Sequence, residues 1–207
     1  MTGSTFELWV VRHGETEWAR LGRHTGRTDI PLTAEGERQA RAVGALLAGR
    51  RFAAVLTSPL RRAQDTCRLA GYGDVARVEP DLAEWDYGDY EGRLGADVRK
   101  EIPGWTVWTG ELPHGETIDE VAARARRALA AAEAAGGDVL VFAHGHVLRI
   151  LSALWLGLPP RGGQLLALSP GALSVLGFES GAHVLRLWNR EASTDERESR
   201  TRERAKR

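Results

Sequence analysis

The stretch Leu8-Trp9-Val10-Val11-Arg12-His13-Gly14-Glu15-Thr16 (residues 8–16) decides the fold class of this chain. Its first four residues form an apolar run that is too short for a helix and ends in two β-branched residues, so it predicts a buried strand. Arg12 and His13 follow directly at the carboxyl end of that strand. A buried strand that ends in a guanidinium and an imidazole indicates an α/β protein with reactive groups at one edge of its sheet.

Two further apolar runs follow the same pattern. Residues 53–57 precede Ser58, and residues 139–143 precede His144. Because ligands of an open α/β sheet bind outside the carboxyl ends of its strands, the groups after the three runs are expected to meet at one rim. Arg62, in the first turn of the helix predicted after Ser58, adds a guanidinium to this rim.

Helical patterns separate these runs. Thr33 is expected to open one helix, and Ser58-Pro59 has the pattern of an N-cap followed by a first helical position. Thr117 and Glu120 match the capping box of a third helix. Since strands and helices alternate, the sequence predicts a three-layer α/β sandwich with a mostly parallel central sheet flanked by helices.

The remaining segments are shorter or less regular. Short strands are predicted at residues 74–79, 165–168, 173–178 and 183–188. Residues 80–115 lack a clean period and are rich in glycine, tryptophan and acidic residues, which is typical of an active-site insertion. We therefore expect one catalytic domain over residues 1–189, followed by a charge-rich tail, residues 190–207, that is disordered or a frayed helix.

Composition excludes several classes of protein. A chain of 207 residues with 28 basic and 28 acidic residues has no net charge, which argues against a nucleic-acid partner. The single cysteine, Cys67, excludes an intramolecular disulfide and a multi-cysteine zinc site. No apolar run approaches the roughly 20 residues that span a bilayer, and the start lacks a basic leader. We expect a cytoplasmic protein with no membrane partner, and the sequence leaves a homodimer open.

The groups expected at the rim have a defined chemistry. Forked guanidinium donors match phosphate oxygens, and the predicted helix beginning at Pro59 would add its N-terminus to an anion site. A neutral imidazole can attack phosphorus while guanidinium groups stabilise the equatorial oxygens. The leaving alkoxide then needs a proton, and a carboxyl group facing a phosphate dianion has its pKa raised by like-charge repulsion.

Several motifs, in order, carry a resemblance to a known family. They are Arg12-His13-Gly14-Glu15-Thr16, residues 22–40 (GRHTGRTDIPLTAEGERQA), residues 58–63 (SPLRRA), residues 82–88 (LAEWDYG) with Glu91-Gly92, residues 113–117 (PHGET) and residues 143–146 (AHGH). In these motifs the chain resembles the histidine phosphatase superfamily, the phosphoglycerate-mutase-like proteins. The resemblance covers residues 8 to about 180 and implies an α/β sandwich that uses no metal and no other cofactor.

The resemblance also implies roles for individual residues. His13 is expected to be the nucleophile that becomes phosphorylated, and Glu84 the proton donor to the leaving group. Arg12, Arg62 and His144 are expected to hold the phosphoryl oxygens. The substrate-binding residues that the motifs imply are Thr25, Gly26, Tyr87, His24, His146 and Gly145.

Some of these assignments have rivals. The role of Glu84 rests on the register of its motif, because four other carboxylates lie nearby: Asp81, Asp86, Asp89 and Glu91. His146 is either a pocket residue or a packing residue at a helix N-terminus. His144 and His146 could form a metal pair, but no matching set of Asp, His or Cys ligands accompanies them.

Two departures from the mutases of the family bear on the substrate. Ala19 and His146 stand where mutases usually carry asparagine, and residues 100–108 (KEIPGWTVW) replace their basic segment. A mutase must retain a bisphosphorylated intermediate, so the loss of these groups favours water as the final acceptor. Tryptophans are expected to wall the cavity; they are Trp85, Trp105 and Trp108.

The sequence thus predicts a metal-independent phosphomonoesterase for a small phosphorylated metabolite, which would also bind inorganic phosphate. Two alternatives stay open at this point. One is a cofactor-dependent phosphoglycerate mutase, and the other is a protein that senses a phosphorylated ligand without turnover.

Overall fold

A six-stranded sheet forms the centre of the computed structural model, which describes residues 6–192. The strands are β1 (Leu8–Arg12), β2 (Ala54–Thr57), β3 (Ala76–Val78), β4 (Val139–Ala143), β5 (Leu173–Glu179) and β6 (Ala182–Arg190). Their order is β3-β2-β4-β1-β5-β6. The first four strands of this order pair in parallel, while β5 pairs antiparallel with both β1 and β6. The predicted α/β class and mostly parallel sheet are confirmed.

Helices cover both faces of the sheet. They are α1 (Glu17–Leu21), α2 (Ala34–Leu47), α3 (Arg61–Leu69), α4 (Gly95–Glu101), α5 (Ile118–Glu133) and α6 (Gly145–Trp155). Trp9 and Val11 point to the core beneath α2 and α3, and Val10 points to the core beneath α5 and α6. This alternation along β1 is the period of two that a strand buried on both faces requires, and it produces the three predicted layers.

The strand register fixes the position of the site. Arg12 lies opposite Ala143 in the parallel pair of β1 and β4, and Thr57 lies opposite Phe142 in the pair of β2 and β4. Three parallel strands therefore end at nearly the same level. The residues that follow them come together at this edge.

Two predicted helix starts are confirmed by their caps. The side chain of Thr33 accepts a hydrogen bond from the backbone N–H of Gly36 at the start of α2. At α5, Thr117 and Glu120 form both bonds of the capping box. These signals are local in the sequence, and caps of this kind contribute about 1 kcal/mol each.

The predicted helix start at Ser58-Pro59 is wrong. The helix α3 begins two residues later, at Arg61, whose N–H donates to the carboxylate of Asp29 at 3.0 Å. Ser58 Oγ accepts the N–H of Leu60 at 3.2 Å, which closes a turn ahead of the helix. A carboxylate from a distant loop, which short-range patterns cannot predict, therefore serves the N–H of the first residue of α3.

The predicted strand at 165–168 is also wrong, because this segment starts in the last residue of a 3₁₀ helix, Pro160–Leu165, and pairs with no strand among the described residues. Two of its carbonyls bond side chains instead: Leu168 O accepts from Arg12, and Ala167 O accepts from Trp188 Nε1 at 2.7 Å.

The predicted tail boundary at residue 190 falls inside β6, where Arg190 pairs with Leu173. Residues 193–207 of the predicted tail lie outside the described residues.

The segment 80–115 is largely irregular, as predicted, although it contains α4 and two single 3₁₀ turns, Pro80–Leu82 and Gly88–Tyr90. Its aromatic side chains are buried against the core on the α5 and α6 side. Among residues 6–192, no helix is long and apolar enough to cross a membrane.

Candidate active site

His13 follows β1 and is held in one orientation. Its backbone N–H donates to Ala143 O at 2.9 Å, and its Nδ1 lies 2.7 Å from Gly14 O. A ring nitrogen that faces a carbonyl must carry the proton, so Nε2 keeps its lone pair. Burial, reinforced by the charges of Arg62 and Arg12, holds the pKa of His13 well below its usual value. The ring is therefore a neutral imidazole at physiological pH.

The loop after His13 is clamped from two sides. A Cβ on Gly14 would lie 2.3 Å from Gly36 O, so only glycine permits this approach between the loop and α2. On the other side, Gly14 N–H donates to Thr66 Oγ1 at 3.1 Å, and this hydroxyl donates to Arg62 O at 2.7 Å. Gly14, whose carbonyl orients the His13 ring, is thus itself held through its N–H by a buried threonine.

His144 stands at the end of β4 and faces His13, with 5.1 Å between the ring centroids. Arg62 Nε donates to its Nδ1 at 3.1 Å, and its Nε2 lies 2.6 Å from Ser58 Oγ. Because Nδ1 accepts, Nε2 carries the proton and is a donor. Burial and the neighbouring charge of Arg62 hold the pKa of His144 well below its usual value, so this ring is also neutral.

Arg62 is completely buried and organises the loop that precedes α2. Its Nη1 donates to Thr28 O at 2.9 Å, and its Nη2 donates to Thr25 O at 3.1 Å and Gly26 O at 2.9 Å. Most of its donors therefore bond protein atoms. Burial lowers the pKa of Arg62, but a guanidinium stays charged and supplies a fixed positive charge beside both histidines.

Glu91 fixes the same loop from the opposite side. Its carboxylate accepts the N–H groups of Gly26 at 2.9 Å and Thr28 at 3.0 Å. The hydroxyl of Thr25 donates to Arg23 O at 3.1 Å. Thr25 and Gly26 lie beside Arg62 as predicted, but the Gly26 amide is bound to a carboxylate and the Thr25 hydroxyl to a carbonyl.

Arg12 is the second guanidinium of the cluster. Its Nη1 donates to Leu168 O, while its buried Nε has no hydrogen-bond partner among the described residues. A Cβ on Gly145 would lie 3.3 Å from the Arg12 Cζ, so glycine at this position lets the guanidinium lie against the start of α6. An unpartnered buried donor of this kind is a binding position for an anionic oxygen.

Glu84 lies at the N-terminus of α6 and is 7% exposed. Its Oε1 accepts the N–H of Val147 at 3.0 Å and of Trp85 at 2.9 Å, and its Oε2 accepts the N–H of His146 at 3.0 Å. The charge of Glu84 raises the pKa of Arg12, Arg62 and Tyr87, which places this carboxylate beside the cationic cluster.

Its four rivals are bound elsewhere. Asp81 pairs with Arg127, Asp86 with Arg27, Asp89 with His114, and Glu91 holds the loop before α2.

An aromatic wall continues from Glu84 away from His13. Tyr87 Oη lies 2.6 Å from His146 Nδ1. Burial raises the pKa of Tyr87 well above its usual value and lowers that of His146 well below, so the phenol donates to a neutral imidazole. His24 packs on Tyr87 with 4.9 Å between ring centroids, and its buried Nε2 has no partner within the described part of the chain.

The three predicted wall tryptophans are all buried and lie at this wall. Trp85 and Trp108 pack against His146, and Trp105 packs against His24.

In residues 6–192 no group of three or more His, Cys, Asp or Glu side chains could hold a metal ion. His144 and His146 diverge: the first faces Ser58 and Arg62, and the second faces Tyr87.

A comparison with protein families shows to which family the chain belongs. The model of the histidine phosphatase superfamily (branch 1) matches residues 8–191. The chain belongs to the histidine phosphatase superfamily. This confirms the resemblance seen in the motifs.

Several of the proteins that are similar to this histidine phosphatase are phosphatases. An acid phosphatase of Mycobacterium tuberculosis is 42% identical over 182 residues, which cover 86% of this chain and 89% of that protein. Sedoheptulose 1,7-bisphosphatase of Saccharomyces cerevisiae is 37% identical, with 72% of this chain and 67% of that protein covered.

A solved structure of mycobacterial glucosyl-3-phosphoglycerate phosphatase with VO3 has a TM-score of 0.80 at 32% identity, and the match covers 91% of this chain and all of the other. Probable phosphoglycerate mutases are also similar. The chain is a phosphatase of this superfamily, as the sequence predicts.

Sequence reasoning missed four residues of this histidine phosphatase site. They are Ser58 as the partner of His144, Thr66, Glu91 as the loop clamp, and Arg149, whose Cζ lies 4.6 Å from the ring centroid of Trp108 in the aromatic wall. Two of them carried a usable signal: Thr66 lies four residues after Arg62, and Arg149 three after His146, spacings that place each pair on one helix face. Ser58 and Glu91 act through contacts distant in sequence.

Proposed function

We propose that the chain hydrolyses phosphomonoesters of small metabolites through a phosphohistidine at His13. The observation that carries this proposal is the state of His13: a neutral imidazole with its Nε2 lone pair unprotonated, 5.1 Å from the His144 ring and beside two guanidinium groups. A nucleophilic imidazole needs an unprotonated nitrogen, and the transfer of a phosphoryl group needs positive charge to stabilise its oxygens.

In the first step, His13 Nε2 forms a bond to phosphorus and the bond from phosphorus to the ester oxygen breaks. The charges of Arg12 and Arg62 stabilise the equatorial oxygens. The Nε2–H of His144 adds a donor when it exchanges Ser58 Oγ for a phosphoryl oxygen. Glu84, in its protonated form, gives its proton to the leaving oxygen, so the alcohol departs neutral.

In the second step, water attacks the phosphohistidine and the P–N bond breaks. The Glu84 carboxylate takes a proton from the water, and inorganic phosphate leaves. His13 and protonated Glu84 return to their starting states, so no cofactor is consumed.

We name two parts of the site for what each would hold. The phosphoryl half consists of Arg12, His13, Arg62 and His144. The leaving-group half is the aromatic wall with its neighbours: His24, Tyr87, Trp85, Trp105, Trp108, His146 and Arg149. By their names, two similar phosphatases act on a sugar bisphosphate and a glucosyl phosphoglycerate, and the buried rings of this wall fit a phosphorylated sugar or sugar acid here.

Hydrolysis is favoured over mutase activity by the lining of the leaving-group half. Where mutases have a basic segment, this chain places Trp105, Val107 and Trp108 in the core, and Lys100 is exposed and paired with Asp97. A phosphorylated intermediate would meet rings rather than several cations there. Formation of 2-phosphoglycerate from 3-phosphoglycerate without phosphate release would establish the mutase alternative.

The location and the partners of the enzyme stay predictions: we expect it in the cytoplasm, without nucleic-acid or membrane partners. A homodimer stays open.

The proposal is tested by hydrolysis of p-nitrophenyl phosphate in excess EDTA. We expect full activity with EDTA and a loss of at least about 10³-fold in kcat for His13→Ala, since no second nucleophile replaces the imidazole. His114→Asn, at an exposed histidine with positive φ, is the matched control and should retain activity. Loss of activity in EDTA, or an active His13→Ala variant, would contradict the proposal.

A further inference from the structure

Arg149 is a third guanidinium near the site, and the family motifs assign it no role. It lies on α6 one turn after His146, with its Cζ 4.6 Å from the ring centroid of Trp108. Its Nε donates to Gly163 O at 3.0 Å, and its Nη2 donates to Gln164 O at 3.1 Å. An indole face and two backbone carbonyls therefore hold the group in one orientation.

Arg149 has no ion-pair partner within residues 6–192, and this distinguishes it from the structural arginine Arg124. Arg124 is buried and binds the Glu116 carboxylate in a bidentate manner, at 2.8 Å and 2.9 Å. Burial lowers the pKa of Arg149, so its charged form lacks full solvation. An unpaired, partly desolvated cation is unfavourable unless an anion from outside completes it.

The charge of Arg149 acts on the site. It lowers the pKa of His146 and of Arg12, and Glu84 in turn raises the pKa of Arg149. Trp108, beneath the guanidinium, packs against the His146 ring at 5.1 Å between centroids. Arg149 thus belongs to the leaving-group half.

The carboxylates around the site arginines are unevenly shared. The charges of Glu84, Asp29 and Glu91 raise the pKa of Arg62, whereas Glu84 is the carboxylate that raises the pKa of Arg149. When Glu84 carries the proton that it must donate, the charge of Arg149 therefore lacks this compensation.

We propose that Arg149 binds a second anionic group of the substrate, a carboxylate or a second phosphate on the alcohol that leaves. This inference rests on the proposed function and narrows it. The preferred substrates are phosphomonoesters whose leaving group is itself acidic, and the guanidinium Nη atoms of Arg149 are the donors that recognise the acid.

Two substrate pairs test this proposal and separate the two kinds of acid. The carboxylate pair is 3-phosphoglycerate and glycerol 3-phosphate, and the phosphate pair is fructose 1,6-bisphosphate and fructose 1-phosphate. In the wild-type protein we expect kcat/KM to be at least tenfold higher for the acidic member of one pair or both. Arg149→Gln should lower that ratio at least tenfold, and Arg149→Lys, which keeps the charge but not the fork, should lower it less.

Arg126→Gln is the control, because Arg126 is an exposed arginine on α5, and its ratios should stay as in the wild type. The use of ratios within one variant removes any general loss of folded enzyme. Equal ratios in the wild type and Arg149→Gln, or no wild-type preference for an acidic member, would overturn the assignment of Arg149 alone. A wild-type protein that hydrolyses none of these esters, or an active His13→Ala variant, would overturn the proposed function as well.

Discussion

The two halves of the site are built in different ways. The phosphoryl half is fixed mainly by the backbone, because three parallel strands end at one level and place His13 and His144 there. The leaving-group half comes from an irregular segment and one helix face, where buried rings position one another. In the proposed function, the groups that act on every phosphate ester lie at the ends of the sheet strands and on α3, and the groups that choose among esters lie on the irregular segment and on α6.

This contrast predicts how substitutions in the two halves should differ in their effect on activity. A change in the phosphoryl half should lower activity on every substrate by a similar factor. A change in the leaving-group half should alter the ratio between substrates.

The largest effect is expected for Arg62→Lys. Lysine cannot bond His144 and three loop carbonyls at once, so we expect kcat/KM to fall by about 10³-fold on all substrates. The neighbouring Arg61→Lys is the matched control, since the Arg61 side chain is 69% exposed and pairs only with Asp65 among described side chains. A fall of less than tenfold for Arg62→Lys would remove Arg62 from the centre of the phosphoryl half.

The effect of Glu84→Gln should depend on how strongly the leaving group needs a proton. An alkoxide needs a proton and p-nitrophenolate hardly does, so we expect about 10²-fold slower hydrolysis of glycerol 3-phosphate and a much smaller effect on p-nitrophenyl phosphate. Asp89→Asn, at an exposed rival carboxylate that pairs with His114, is the control. Equal slowing of both substrates would show that Glu84 is not the proton donor.

Thr66→Val tests whether the clamp on the His13 loop serves catalysis. Loss of the hydroxyl leaves Gly14 N–H without its partner, so we expect kcat to fall about tenfold with KM little changed, because the nucleophile is misplaced. The unfolding free energy should fall by about 1–3 kcal/mol. Thr66→Ser should restore kcat; if both variants lose stability but keep kcat, the role of Thr66 is structural only.

The smallest effect concerns stability in acid. Burial lowers the pKa of His13, His144 and His146 in the folded protein below the unfolded value of about 6.5. The unfolded state then binds more protons, so their contribution is present above pH ~6.5 and is lost as pH falls towards the folded pKa values. We expect a lower urea midpoint at pH 5 than at pH 7.5.

His146→Gln should weaken this pH dependence, while His114→Asn, at an exposed histidine with positive φ, should not. An unchanged or higher midpoint at pH 5 would contradict the buried neutral histidines.

The sequence predicted the parts of the molecule that depend on local patterns. The strand at residues 8–11 and the capping box of Thr117 and Glu120 are such patterns, and both are confirmed. The convergence of His13 and His144 followed from the rule that parallel strands end at one edge. The motifs of the family supplied the rest of the phosphoryl half.

The sequence failed where a distant partner decides the structure. The start of α3 depends on Asp29, which lies 32 residues before Arg61. The apolar run 165–168 has the composition of a strand, but its carbonyls at Ala167 and Leu168 accept from the side chains of Trp188 and Arg12, which lie far away in the sequence. No pattern in the sequence marks Arg149 as a binding residue. Only the structure shows that it has no carboxylate partner among the described residues.

The most direct test of the phosphoryl half is to trap the intermediate. The enzyme is mixed with a labelled phosphate ester and quenched in alkali within one turnover, and the tryptic peptide of residues 13–20 is analysed by mass spectrometry. We predict one phosphoryl group on His13, stable in alkali and lost in acid, with none in His13→Ala. A burst of alcohol release with no covalent label on His13 would contradict the nucleophile assigned here.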